Sequence, residues 1–112
     1  VVAFTPGGPV DFVARVLADQ LSKELGQTVL VDNRPGANGN IGAEYVAKAA
    51  PDGSVMFLTS VGAVAISPAL YANLPYDVAR DFAPVSGVVN NATVFVVNAA
   101  NPARARATRS VP

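Results

Sequence analysis

The chain contains no cysteine, no histidine and no tryptophan, and a single methionine among its 112 residues. Without cysteine it has neither a disulfide framework nor a thiolate nucleophile, although the compartment stays open because many exported proteins also lack disulfides. Without histidine the usual general base at neutral pH and the commonest metal ligand are both missing. Charge is scarce too, at 14% against 51% hydrophobic residues, which excludes a disordered polyelectrolyte and leaves a globular chain with enough apolar material for one core. No apolar run approaches the roughly 20 residues that cross a bilayer, and no signal peptide is visible.

The formal net charge is zero but unevenly spread. Residues 1–98 hold five basic against eight acidic side chains, and Arg104, Arg106 and Arg109 restore neutrality in a segment without acids. A mildly acidic body with no basic cluster cannot neutralise phosphates in number, which excludes a nucleic-acid partner. The last fourteen residues, from Ala99 to Pro112, show no apolar periodicity and are expected to form an irregular or disordered tail. The organisation expected is therefore one domain over 1–98 and a tail over 99–112.

Within the domain, Val1–Phe4 is a short apolar run closed by Pro6-Gly7-Gly8-Pro9, the pattern of a buried strand entering a tight loop. Because the chain opens inside this run, its N-terminus is expected to have been cut. A helix should follow, capped by Asp11, with Val13, Val16, Leu17, Leu21 and Leu25 forming its apolar stripe and Gly26 its C-terminal cap. Thr28–Asn33 and Val55–Thr59 read as further buried strands. Between them a helix over 41–50, with Asn40 as its cap, would bury Ile41, Tyr45, Val46 and Ala49 in some combination. A short helix over 63–71 carrying Pro68, turn material at Leu74–Asp77, and strands over 85–89 and 93–98 complete the pattern. Strand and helix in alternation predict an α/β domain built on a parallel sheet.

Three loops leave the C-terminal ends of the predicted strands: Thr5–Val10, Pro35–Asn40 and Ser60–Ala63. Such ends lie along one edge of an open α/β sheet, where ligands bind, so the loops should converge. Two of them feed helix N-termini, whose free N–H groups and dipole favour an anion such as a carboxylate or phosphate. The plainer alternative is that their glycines and prolines only make turns. Neither loop is a nucleotide motif: the first lacks the Lys-Ser/Thr ending of a Walker loop, and Gly36–Gly42 reads GxxGxxG where a dinucleotide loop needs GxGxxG.

Catalysis is not indicated. Ser60 has no base in view, and the carboxylates are scattered singly, against a paired-acid mechanism. Asp11 reads as a helix cap, Arg34 beside Asp32 as a surface ion pair before a carboxylate clamp, and Asp77, Arg80 and Asp81 as the ties of their own turn.

The segments Phe4–Asp11, Leu25-Gly26-Gln27, Val31–Ala43, Ala49–Gly53, Ile66–Tyr71, Leu74–Asp77 and Arg80–Val85 resemble, in order and spacing, the substrate-binding proteins of tripartite tricarboxylate transporters, the Bug family. The resemblance covers nearly all of 1–98. It implies the parallel-sheet lobe of a type II periplasmic binding protein, in which two α/β lobes close on a ligand like a flytrap. It further implies a periplasmic receptor, not an enzyme, that takes no cofactor and no metal. Such a receptor captures a small carboxylic acid and delivers it to the membrane subunits of a transporter. Carried over from the family, the ligand's carboxylate would meet backbone N–H groups and ordered water at Phe4, Thr5, Gly7, Gly8, Pro9 and Asp11. Thr59, Ser60, Val61 and Ala63 would contribute from the later loop, with Gly39 and Asn40 between. Members of the family are much longer and continue into a second lobe, so this chain is expected to be an N-terminal, truncated fragment. Without the opposing wall it would bind weakly or not at all, down to a non-binding remnant. Its uncovered apolar surface would favour self-association.

Overall fold

The structure is a computed structural model, described here for residues 1–90. The expected strand over 93–98 and the tail over 99–112 lie outside the described residues, as does the boundary between domain and tail.

Three extended segments run side by side. Val2 forms parallel bridges with Asn33 on one side and Leu58 on the other, so the first segment lies between the second and the third. The Val2 N–H donates to Asp32 O (2.8 Å) and Arg34 N–H donates back to Val2 O (2.8 Å). Across the other edge, Leu58 N–H donates to Val1 O (2.9 Å) and Ala3 N–H to Leu58 O (3.3 Å). Each contact is a single bridge, not the four- to six-residue ladder that the apolar runs suggest. Leu30 is 81% exposed in the second run, which shows how little of it reaches the centre. Among the described residues the run over 85–89 forms no strand: no bridge involves it there, and Val85 is 88% exposed.

The first helix, α1, spans Pro9–Leu25. Gly8 is its N-cap, and Pro9 opens the first turn, where a missing N–H costs nothing. Asp11 thus sits two residues inside the helix start and is not the N-cap expected. At the other end Gly26 caps in the left-handed region, as the sequence predicts. The predicted stripe holds in part: Val13, Leu17 and Leu21 are half-buried, whereas Val16 and Leu25 are about half exposed, at 49% and 54%, and the fully buried positions are Asp11, Ala14 and Ala18. Small side chains let the helix axis approach the extended segments, and the bulkier residues are displaced to its flanks.

Helix α2 spans Asn40–Ala47, shorter than expected, with Gly39 as its N-cap in place of Asn40. It buries Gly42 and Ala43. Ile41 (51% exposed) and Tyr45 (41%) do not enter the core. Ile41 lies over Gly36, where a Cβ would meet its Cδ1 at 2.5 Å, and the Tyr45 ring carries the Arg34 guanidinium 3.5 Å from its centroid. That guanidinium also donates to Asp32 (2.7 Å), the predicted ion pair.

The third helical stretch begins with a wide π-type turn over Gly62–Ile66, in which Ser67 N–H donates five residues back to Gly62 O, and tightens into α3 at Ser67–Leu70. Finally α4 spans Val78–Asp81. Asp77 caps it by accepting from Ala79 and Arg80 N–H (2.9 Å each), while Asp81 accepts from Asp77 N–H (2.8 Å) and pairs with Arg80. These are the ties expected of that turn. The core is compact and aromatic: Ala43, Ala63 and Tyr76 are buried, with Ala47, Phe57, Leu74, Val78 and Phe82 against them. Phe82 bridges the cluster, edge-on to Tyr76 (5.8 Å between centroids) and tilted against Phe57 (5.9 Å).

Candidate functional site

Gly39, in the second loop, packs against the end of the first extended segment and against the start of the third loop. A Cβ built there would lie 3.1 Å from Ala3 Cβ, 3.3 Å from Ala63 Cβ and 3.5 Å from Thr59 Oγ1. The first extended segment, the second loop and the start of the third loop therefore pack closely at one point, which Gly39 fits without a side chain. Its φ of +93° disfavours other residues for a second reason. The whole turn is left-handed, since Gly36, Ala37, Asn38 and Gly39 all have positive φ. Asn38 folds its carboxamide against Gly62, whose missing Cβ would stand 2.7 Å from Nδ2.

A second tie joins the later loops. The Tyr76 hydroxyl lies 2.8 Å from Asn40 Oδ1 and 2.8 Å from Ala63 O. A phenol has one proton, so it satisfies one oxygen directly, and the Asn40 amide serves the pair best with its NH2 turned toward the phenol. Burial pushes the Tyr76 phenol above its ordinary pKa, keeping it protonated and able to donate.

The first loop is organised from below by a buried carboxylate. Asp11 is 3% exposed. Its Oδ2 accepts from Gly7 N–H (2.9 Å) and Arg15 Nε (2.9 Å), and its Oδ1 accepts from Asn33 Nδ2 (2.9 Å). The Arg15 hydrogen bond, then the Gly7 amide, then Asn33 hold its pKa at about 2, so it is ionised at neutral pH. Both oxygens are occupied by the chain's own donors. Asp11 faces the inside of its loop, with Thr5, Pro6 and Gly7 exposed above it.

Not all predicted residues share one place. Gly39, Thr59 and Ala63 are in close contact, and Asn40 is linked to Ala63 through Tyr76. Phe4 is tied to the second extended segment through its carbonyl, which accepts from Asn33 Nδ2 (3.1 Å). Gly7 stands clear, with nothing within 4 Å of a Cβ built on it, and Gly8 has only Thr5 O near it. Pro9, Ser60 and Val61 are exposed, and Ser60 Oγ accepts from Gly62 N–H at 3.4 Å. None of these residues lines either of two shallow surface depressions. One, of about 690 Å³, follows Tyr71 and Leu74–Arg80; the other, of about 420 Å³, lies between α1 and Val29–Val31.

Sequence reasoning passes over Asn33, Asn38 and Tyr76. The signal for Asn33 is a polar residue at the end of a buried run, where a side chain must find a partner. For Tyr76 no local signal exists, because its partners are 36 and 13 residues away. Among the described residues, no three His, Cys, Asp or Glu side chains gather to hold a metal, and no helix is long and apolar enough to cross a membrane.

The fold resembles part of solved transport proteins. A solved structure described as a periplasmic transporter superposes with a TM-score of 0.72 at 44% identity, over 76% of this chain and 29% of that one. A second, described as R. palustris Rpa4515 with adipate, gives 0.69 at 44% identity, over 75% and 28%. Residues 13–108 match the tripartite tricarboxylate transporter family receptor, and the chain belongs to that family. It is 46% identical to protein BugT of Bordetella pertussis over 99 residues and 47% identical to a UPF0065 protein of Bordetella bronchiseptica over 89. Those alignments take 88% and 80% of this chain but 30% and 27% of the relatives, so the chain spans under a third of their length.

Proposed function

We propose that this chain supplies one wall of the ligand cleft of a periplasmic receptor, within the first lobe of a type II binding-protein fold. The receptor captures a small carboxylic acid and hands it to the membrane subunits of a tripartite tricarboxylate transporter. The observation that carries the reading is the packing of Gly39 against Ala3, Thr59 and Ala63, which brings the second loop, the end of the first extended segment and the start of the third loop to a point without bulky side chains. The first and second loops open α1 and α2, whose N-terminal N–H groups and dipoles favour a carboxylate.

The residues assigned to the cradle are Phe4, Thr5, Gly7, Gly8 and Pro9, then Gly39 and Asn40, then Thr59, Ser60, Val61 and Ala63. Backbone N–H groups and bridging water do most of the holding, because direct and water-mediated hydrogen bonds are nearly equal in enthalpy. Asp11 supports the first loop from beneath. Support for an acid of this class comes from the adipate in the R. palustris relative.

The test is a titration of isotopically labelled chain with adipate, followed by amide chemical shifts, which detect even millimolar binding. Saturating shifts confined to Thr5–Gly8, Gly39–Asn40 and Thr59–Ala63, absent with dimethyl adipate, are expected. Equal shifts with the uncharged diester, or none at tens of millimolar adipate, would overturn the assignment of this wall to a carboxylate.

A further inference from the structure

The side chain of Asn33 makes three polar contacts, and together they enclose the first loop. Its two amide protons go to different acceptors: Phe4 O at 3.1 Å and Asp11 Oδ1 at 2.9 Å. Its own Oδ1 accepts from Arg15 Nη2 at 3.4 Å. Asp11 in turn accepts from Gly7 N–H through its other oxygen. A continuous path therefore runs from the carbonyl of Phe4 through Asn33 and Asp11 to the amide of Gly7, closing a ring around residues 4–7. The anchor of that ring is fixed, since Asn33 is bridged to Val2, two residues before Phe4.

We infer that Asn33 is the positioning residue of the cradle: its carboxamide sets the conformation of Phe4–Gly8 and with it the direction of the N–H groups presented to a bound carboxylate. The inference rests on the cleft reading above, and Asn33 itself does not touch the ligand. Few residue types could replace it. Aspartate has no donors and would face the Asp11 carboxylate with a like charge, serine has a single proton for two acceptors, and glutamine is one methylene too long for the same anchor point. The links to Phe4 and Asp11 are part-buried, and loss of one leaves the others unsatisfied.

The experiment compares wild type with Asn33→Ala, following the Asp11 carboxyl titration and the Thr5–Gly8 amide shifts by NMR, and the adipate affinity by titration. In the variant, the Asp11 pKa should rise from about 2 toward the usual carboxylate range. The Thr5–Gly8 amides should move without ligand, and adipate affinity should fall about tenfold while the α1 amides from Ala14 to Ser22 keep their shifts. A folded variant in which Asp11 and the Thr5–Gly8 amides are unmoved, or in which adipate binds as in wild type, would overturn the assignment. If Asn33→Ala loses the fold, Asn33→Ser, which keeps one donor, carries the same comparison. Failure of wild type to bind adipate would count against the cleft reading alone. The ligand-free readouts would still decide whether Asn33 holds the loop.

Discussion

Replacing Gly39 by alanine tests its packing against Ala3, Thr59 and Ala63 directly. Two effects oppose the substitution. Placing an L residue in the left-handed region at φ +93° costs about 1–2 kcal/mol. The added methyl also meets Ala3 Cβ at 3.1 Å and Ala63 Cβ at 3.3 Å, short of the roughly 3.5–4.0 Å optimum for carbon pairs. Crowding of that kind costs about 1–3 kcal/mol. The stiffer unfolded chain returns about 0.4–1 kcal/mol. Gly53 is the matched control, because its φ is +80° and a Cβ there meets nothing within 4 Å. Gly53→Ala suffers only the conformational penalty, so Gly39→Ala should be the less stable of the two by about 1–3 kcal/mol in urea unfolding. Equal losses, within about 0.5 kcal/mol, would mean that Ala3, Thr59 and Ala63 do not close on Gly39, and that packing would be refuted.

Tyr76→Phe keeps the aromatic packing on Phe82 and removes only the hydroxyl between Asn40 and Ala63. It should cost about 1–2 kcal/mol by chemical denaturation, with larger amide shifts at Asn40 and Ala63 than at α1. Ser67→Ala should instead be neutral or stabilising by up to about 1 kcal/mol, since its hydroxyl is fully buried with no partner among the described residues. A clear loss of stability there would reveal a buried water as its partner. Asp11 and Asp81 are both held at about 2, below their ordinary 3.8. The folded state thus favours their ionised form, and their contribution is fully present above the ordinary carboxylate value. It is lost as pH falls from about 4 to about 2, so the urea midpoint should drop across that window and level off above it. Arg80→Ala, which removes the larger cause of the Asp81 shift, should flatten part of that drop.

Much of the local structure is legible because its causes are local. Gly26 marks the C-terminal end of α1 by backbone chemistry, whereas its start, expected at Asp11, falls earlier at Pro9; the Asp77–Asp81 ties and the Asp32–Arg34 pair form within a few residues. Which face is buried is a different question, because periodicity gives a stripe and the packing partner decides where it sits. In α1 the contact is made by Ala14 and Ala18, and in α2 by Gly42 and Ala43, since close approach to the extended segments favours small residues over large ones. Gly42 shows this directly: a Cβ there would lie 3.2 Å from the Phe57 ring and 3.3 Å from Arg34 O. Strand length is equally illegible, as β-branched runs at 28–33 and 55–59 share one bridge each with Val2. Tyr76, in what reads as turn material, is buried by groups far along the chain.

The charges near the loops bear on how a carboxylate would be recognised. Arg15 and Arg34, the cations beside the first and second loops, are both engaged, Arg15 with Asp11 and Arg34 with Asp32 and the Tyr45 ring. Neither is presented as a free fork for a ligand carboxylate, which an arginine-based clamp would require. In the proposed cradle, the ligand's charge is therefore met by oriented N–H groups at the starts of α1 and α2. The acid at Asp11 does not oppose this, because Arg15 neutralises it and its oxygens are spent on the loop. Recognition of this kind reads the carboxylate but little of the molecule behind it. Discrimination between acids of different length then falls to whatever faces this wall, and the wall alone should shift in the same amides with adipate as with shorter dicarboxylates.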